Sequence, residues 1–546
     1  MIRRALVYAA LFVGAAIFAW PFFWMASTSA KLDRELFDGN NRFLPERPIP
    51  RLQSPYVDDR IFAGLTGPRM MEAMPMIEQR IATAGDVAWP ADIDRKVLTT
   101  QLARGVYQQL VNTLPPDVWK APADQLRNEI TRAVDTKMIG NAIAQLRRAF
   151  CVGSLRARSY DAKEDVLVAA QDAAAAWQIT GPAQLVQGGT AEQPFAELKY
   201  DFTHDNKVTL SQTFTTSFPV AQLHRLQFSL RFDDTWHALT IYVEKNGQRF
   251  RAERTVDVSD RNWVLATWQE PGPDDRLTKI RTWTLLRPIN GGAEADPQKL
   301  KITVQLERRS ALGAWWAKIR RNYRLTLDQI PFWRYVGTSV FLVTLNLIGT
   351  LLSCSLVAYS FARLQWPGRK IAFALLLATM MLPAQVTMIP QFLIMQKLGW
   401  YNTLYPLWIM SFCAPAFYVF LLRQFLKGIP RDLEDAARLD GCGFLRIYWH
   451  IMLPLVKPAL AVIAIFTFLA TWNEFMGPLI YLADQRLYPL SFGLYAFQVQ
   501  VSLPGTSKGM GMVMAGALLM TLPVIAMFFF AQRYFLQGVT LTGIKR

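Results

Sequence analysis

Between two apolar segments the chain reads Ile429-Pro430-Arg431-Asp432-Leu433-Glu434-Asp435-Ala436-Ala437-Arg438-Leu439-Asp440-Gly441, then runs through Cys442 to Ile451-Met452-Leu453-Pro454. Asp432, Glu434 and Asp435 suit the first turn of a helix, where the positive end of the backbone dipole lies. Gly441 suits a helix stop, which needs a left-handed residue. A second amphipathic stretch follows, and Pro454 leads back into apolar sequence. The pattern predicts a short, polar-capped helix with a sharp end, held between apolar neighbours. Such a helix is a lever: a partner that grips it moves the helices attached to it.

Outward from this loop, six segments are long and apolar enough to cross a bilayer, at about 20 residues per span. They are residues 5–25, 335–361, 371–393, 404–426, 458–482 and 511–530. Pro383, Pro390, Pro415, Pro478 and Pro523 fall inside them, which membrane helices tolerate when neighbours re-satisfy the freed carbonyls. Basic residues in short loops set the orientation. With the N-terminus inside, fourteen Lys and Arg lie on the cytoplasmic side, against Lys397, Arg486 and Lys508 outside. Both termini then face the cytoplasm, and residues about 28–334 lie on the far side. A cleaved leader is the alternative for the first span, given Arg3-Arg4 and Ser27-Thr28-Ser29-Ala30. Trp20-Pro21-Phe22-Phe23-Trp24, an aromatic belt at the far interface, favours a retained helix.

Composition agrees with a chain that is part membrane, part water-soluble. Of 546 residues only 18% are charged, while soluble domains run nearer a quarter. Residues 31–334 hold 42 basic and 36 acidic side chains, so most of the net +17 sits on the membrane part and its loops. That distribution points to anionic membrane lipid and away from nucleic acid, which needs a concentrated basic face. Cys151, Cys354, Cys413 and Cys442 are too scattered for a disulfide scaffold or a zinc cluster.

The long insert changes texture once. Ile93, Val97, Leu102, Val106 and Leu110, then Leu126, Ile130, Val134, Met138 and Leu146, recur at helical spacing over residues 92–176. Pro122-Ala123-Asp124 reads as a helix start. Gly181-Pro182 and Gly188-Gly189 read as a linker. From Phe195 to Arg308 the period becomes two, as in Leu226, Phe228, Leu230 and Phe232, or Leu300, Ile302, Val304 and Leu306. Asn246-Gly247 is a hairpin signal. About eight strands are expected, enough for a β-sandwich, with a jelly roll as one form.

The loop resembles the EAA loop of ABC importer permeases: Glu-Ala-Ala, three residues, Gly, nine residues, Ile, one residue, Leu-Pro. Asp435-Ala436-Ala437, Gly441, Ile451 and Leu453-Pro454 keep that spacing throughout, with Asp435 for Glu and Cys442 where a small residue is usual. Phe361-Ala362-Arg363-Leu364, the run Met381 to Pro390, Leu398-Gly399-Trp400, Trp472-Asn473-Glu474-Phe475, Gly477-Pro478-Leu479-Ile480 and Ala531-Gln532-Arg533-Tyr534-Phe535 are similar to the MalG-like carbohydrate branch. The resemblance covers residues 1–30 and about 320–546.

It implies a polytopic α-helical membrane protein of a bacterial inner membrane, with six transmembrane helices and the ABC importer permease fold. The inserted α+β extracytoplasmic (periplasmic) region is part helical and part β-sandwich. The expected divisions are a first transmembrane helix at 1–30, a helical region at 31–185, a β-sandwich at 190–310 and a transmembrane core at 311–546. The coupling loop is 429–454. The implied function is that of the permease subunit of an ATP-driven, binding-protein-dependent importer of a sugar or oligosaccharide. The alternatives are a non-sugar solute for the same machine and a membrane-anchored carbohydrate-binding or sensing protein. The implied partners are a second permease subunit, a cytoplasmic ATPase dimer and an extracytoplasmic sugar-binding protein. ATP and Mg would be bound by the ATPase, since this chain has no Gly-Lys pair with which to build a phosphate loop. No cofactor and no enzymatic activity are expected in the chain itself.

The resemblance assigns ATPase coupling to Glu434, Asp435, Ala436, Ala437, Asp440, Gly441 and Pro454. Asn473 and Glu474 stand within the fifth apolar segment; they line a pathway, or sit at the outer interface or against a neighbouring subunit. Gln385 and Gln391 either line a polar pathway or bridge helices. Trp236, beside Asp233-Asp234 and His237, reads as an exposed ring for possible sugar contact. Adjacent carboxylates on a strand point to opposite faces, so Asp233 and Asp234 make no glycosidase pair. Gly505-Thr506-Ser507-Lys508-Gly509 matches a hydrolase elbow but lacks its strand–turn–helix context, and reads as a flexible outside loop. His204, His224 and His237 have no metal-ligand spacing, so no metal site is expected.

Overall fold

A computed structural model describes the chain except residues 1, 38–41, 59, 63–64, 85–88, 91–93, 190–191, 271–282, 293, 502–508 and 541–546. The chain divides into two compact units, Arg47–Pro273 with Thr282–Lys318, and Met1–Glu46 with Ile319–Arg546.

The first unit begins with a helical layer: Met70–Thr83, Arg95–Thr113, Ala123–Ala133 and Thr136–Leu146. Asp94 and Asp135 cap two of these by accepting the backbone N–H of Lys96 and Met138. Leu102, Val106, Leu110, Leu126, Ile130, Val134 and Leu146 are all buried in one cluster, as their spacing predicts. Ile93 lies outside the described residues.

Among the described residues fourteen strands then form one hydrogen-bonded sheet, eleven of them along a single path and three paired to its side. In one half, Pro194–Asp201, Phe150–Ser159, Leu223–Arg231 and Trp263–Gln269 pair antiparallel in that order. In the other, Gln248–Ala252, Ala238–Lys245, Lys299–Glu307 and Lys207–Thr215 do the same. Thr284–Ile289 joins the halves through a short parallel contact with Trp263–Gln269. Both halves send alternate side chains into one core, Leu226, Phe228 and Leu230 from one, Ile302, Val304 and Leu306 from the other. Asn246 and Gly247, both left-handed, close the expected hairpin between Lys245 and Gln248.

The boundary at 185–190 does not hold. Helix ends at Leu146, and Phe150–Ser159, Glu164–Val168, Gln178–Thr180 and Ala183–Gly189 are strands. Phe150–Ser159 is buried on both faces for its first half, so it lacks the alternation that marks a strand. The alanine-rich run 169–176 looks helical by propensity, yet it forms a single short turn that tucks Ala173 into the sandwich core. Gly181 is a tight corner rather than a linker: a Cβ there would lie 2.6 Å from the carbonyl oxygen of Lys207.

In the second unit, Ile2–Ser29, Phe332–Arg363 and Met510–Thr540 are long continuous helices. Among the described residues three helices are long and apolar enough to span a membrane, within these bounds. Phe444–Leu455 and Lys457–Trp472 add a fourth if read as one span bent by 77°. Two of the remaining segments are interrupted where a proline constrains its predecessor away from helical geometry. Residues 371–393 split into Arg369–Thr379 and Ala384–Lys397 at Pro383, and 404–426 yields only Ala416–Lys427 as α-helix, after left-handed Ala414 and Pro415. Residues 458–482 break at Asn473 into Lys457–Trp472 and Met476–Tyr481. Asn322 fixes the end of the first helix by donating to the carbonyls of Ser29 (2.8 Å) and Lys31 (2.7 Å).

Candidate functional site: the coupling helix

The helix Asp432–Leu439 carries all three acids of its sequence in its first turn. At its other end Gly441 takes φ 79°, its N–H donates to Arg438 O (3.0 Å) and the Cys442 N–H donates to Ala437 O (2.9 Å). This pair of bonds is a Schellman stop, which satisfies two carbonyls that a bare helix end leaves open. Nothing lies within 4 Å of a Cβ built on Gly441, so its conformation, not crowding, demands glycine.

One face of the lever is locked inward. Glu434 and Ala437 are buried. Glu434 Oε1 lies 3.1 Å from Arg363 Nε at the end of the Phe332–Arg363 helix, a close ion pair set off the hydrogen-bond line. Arg363 also donates to the carbonyls of Leu426 and, at 2.7 Å, Ile429. One guanidinium thus joins the ends of two apolar helices to the start of the lever. A buried charge pair of this kind is costly to break, since Glu434 would keep only the half-exposed Arg438, 3.9 Å away.

Beyond Gly441, Phe444–Ile447 runs into a wider π turn at Tyr448–Met452 and then bends into Lys457–Trp472. Tyr448 shares a hydrogen bond with Ser355 (2.7 Å), and Tyr359 donates to Phe444 O (3.3 Å). Ile447, Tyr448 and Met452 pack with Cys354, Ala358 and Tyr359 in one core. Both legs of the lever therefore rest on the Phe332–Arg363 helix. The opposite face is open: Asp435, Ala436, Asp440 and Pro454 are exposed, as are Leu433, Phe444, Leu445 and Trp449, and Leu439 is 89% exposed. This apolar patch with a charged rim has the make-up of a protein-binding surface.

The other expected residues are not gathered into this site. Gln385, exposed, and Gln391, half-buried, lie on Ala384–Lys397. Asn473 donates to Leu469 O (2.9 Å), and Glu474 accepts the Gly477 N–H (2.8 Å), so both finish or start helices at the break. Trp236 is a correction. It is 1% exposed, left-handed in φ, and lies beneath the Lys318 ammonium, so its ring is not open to a sugar. Asp233, Asp234 and His237 are buried beside it; the Tyr200 hydroxyl donates to Asp233 at 2.6 Å, and burial lowers the His237 pKa. Residues 505–508 of the outside loop lie outside the described residues. Sequence reasoning gave Arg363 no role at the lever: it stood among the cytoplasmic charges and within the Phe361–Leu364 resemblance.

Residues 349–541 match the model of the binding-protein-dependent transport system inner membrane component. The arabinooligosaccharides transport system permease protein AraQ of Halalkalibacterium halodurans is 36% identical over 214 residues, 39% of this chain and 75% of that protein. This chain belongs to the family. A second AraQ, from Bacillus subtilis, is 35% identical over 39% of this chain and 74% of its own length. The melibiose/raffinose/stachyose import permease protein MelC of Bacillus subtilis is 27% identical over 50% of this chain and 98% of its own. As a transport permease of this family, the protein is membrane-embedded and works within a complex of several subunits. The matched region contains the whole 429–454 lever.

Proposed function

We propose that the chain is the permease subunit of an ATP-driven importer for a sugar or oligosaccharide, as its relatives' names suggest for them. The observation that carries the reading is the lever itself: a short helix clamped to the Phe332–Arg363 helix by Arg363–Glu434, with an exposed apolar face toward a partner. A separate cytoplasmic ATPase dimer, holding ATP and Mg, would grip that face. Its closure would turn the lever and open the apolar helices to the outside. A second permease subunit would complete the channel, and an extracytoplasmic binding protein would deliver the substrate.

The basic-residue bias supports six crossings of a bacterial inner membrane, with both termini cytoplasmic and residues about 28–334 periplasmic. The interrupted helices would count as spans of broken geometry, which membrane proteins accept where neighbours satisfy the backbone. Gln385, Gln391, Asn473 and Glu474 remain candidates for the pathway. The insert, with its near-balanced charge, would chiefly enlarge the surface for the binding protein or the second permease.

Purification of the complex from native membranes, with mass identification of each subunit, tests the reading. An ATPase should copurify, and Leu439→Asp should release it while the chain stays in the membrane. Retention of the ATPase by that variant would count against this docking face. Orientation has its own test. Tyr160 is exposed, so Tyr160→Cys in an otherwise thiol-free chain should react with an impermeant label on intact cells. Reaction only after lysis would reverse the topology.

A further inference from the structure

We propose that the insert holds a binding site of its own, a cleft between its helical layer and its β-sandwich that takes a carboxylate-bearing saccharide. The inference rests on the sugar-importer reading above. The cleft has a volume of about 420 Å³, lined by Gly140 and Ile143 of the helical layer, Phe195 and Phe232 of the sandwich, and Arg147, Arg148, Arg231 and Arg261. That volume falls in the usual range for small-molecule sites, about 300–1,000 Å³.

The arginines around it are unequally paired. Arg147 is matched by Glu197 through two bonds, 2.6 and 2.7 Å. Arg60, Arg148 and Arg261 share two carboxylates: Asp58, at 3.1, 3.8 and 3.4 Å, and Asp234, 3.0 Å from Arg261. Asp233 is turned to the Tyr200 and Thr235 hydroxyls. Arg231 pairs with no carboxylate among the described residues. Its guanidinium meets Cys151 Sγ (2.9 Å) and lies 5.1 and 5.6 Å from the ring centres of Phe195 and Trp263. Burial and the neighbouring Arg261 pull the Arg148 pKa down to about 10, against the opposing pull of Asp58 and Asp234. The Arg148 Nε makes no hydrogen bond, Asp58 being too distant.

A guanidinium held against aromatic faces is a pre-oriented fork, and a planar carboxylate fits such a fork with two bonds. The rings of Phe195 and Phe232 give the rest of the ligand an apolar wall. A bare inorganic anion has no use for that wall, whereas the C–H face of a sugar ring does.

The test is calorimetric titration of the full chain, in detergent or nanodiscs, with digalacturonate, the neutral disaccharide galactobiose, and sodium sulfate. Digalacturonate should bind saturably and galactobiose should not. Arg231→Gln should weaken digalacturonate at least about tenfold, as loss of a charged hydrogen bond does. Gly140→Leu should do the same by filling the cleft: it removes no charge, improves helix propensity, and its Cβ meets nothing within 4 Å. The proposal is overturned if digalacturonate does not bind, if galactobiose binds equally, if sulfate competes at equal concentration, or if both variants bind as wild type. A chain that imports a sugar with its ATPase yet fails this titration loses the cleft and keeps the permease reading.

Discussion

The inserted unit and the transport unit spend their apolar residues differently. In the insert the large rings turn inward: Trp268, Phe228, Phe202 and Tyr107 are fully buried. In the transport unit Phe12, Phe18, Ile389 and Phe530 are exposed along apolar helices. The contrast teaches that the insert can close its own core, while the transport unit needs lipid and other subunits to cover its surface.

The largest effect should come from where the insert is cut. A fragment of residues 190–310 lacks Phe150–Ser159, which sits between Pro194–Asp201 and Leu223–Arg231. It should show no cooperative melt, whereas residues 47–318 should melt as one transition with mixed helical and β circular dichroism. Two-state melting of the shorter piece would mean the central strand is dispensable.

Next in size, Arg363→Met leaves buried Glu434 with only the more distant Arg438 and frees two helix-end carbonyls. Breaking such a pair costs about 3–5 kcal/mol. Thermal unfolding of the purified complex should show the transport unit melting earlier with the insert unmoved, and a joint shift would dissolve the distinction between the units. Smaller still, Tyr448→Phe removes one hydroxyl that bonds Ser355, a loss of about 1 kcal/mol. It should loosen the second leg of the lever and lower coupling modestly; unchanged ATP-driven uptake would show that this leg is not strained in the cycle.

A pH effect should belong to the insert. Burial lowers the His237 pKa from its usual value near 6.5, so the folded state resists a proton that the unfolded chain accepts. The insert should hold full stability above about pH 6.5 and lose it as pH falls below that value. His237→Gln should flatten this slope, as followed by fluorescence-detected melting.

How much of this was legible in the sequence follows from the same physics. The lever was legible because local rules fix it: acids at the helix start, glycine at the stop, and a spacing shared with a family. Long apolar runs gave the continuous helices, but not the breaks at Ala414 and Asn473, which depend on neighbours. Phe150–Ser159 was hidden because a strand buried on both faces has no alternation to read. Trp236 misled because a loop beside two aspartates looks solvent-facing, while Tyr200 and Arg261 draw those aspartates inside. Arg363 was hidden for the opposite reason: a lone arginine after an apolar run usually marks only the membrane face, and its partner lies 71 positions away in sequence.

The measurement that bears most directly on the lever is ATP-driven uptake by the reconstituted complex carrying Gly441→Val. The change leaves the buried Arg363–Glu434 clamp in place and its Cβ meets nothing within 4 Å, but valine strongly resists φ 79°. The account predicts a complex that assembles and hydrolyses ATP while substrate uptake is lost. Uptake at the wild-type rate, with the variant chain inserted and the ATPase bound, would contradict it.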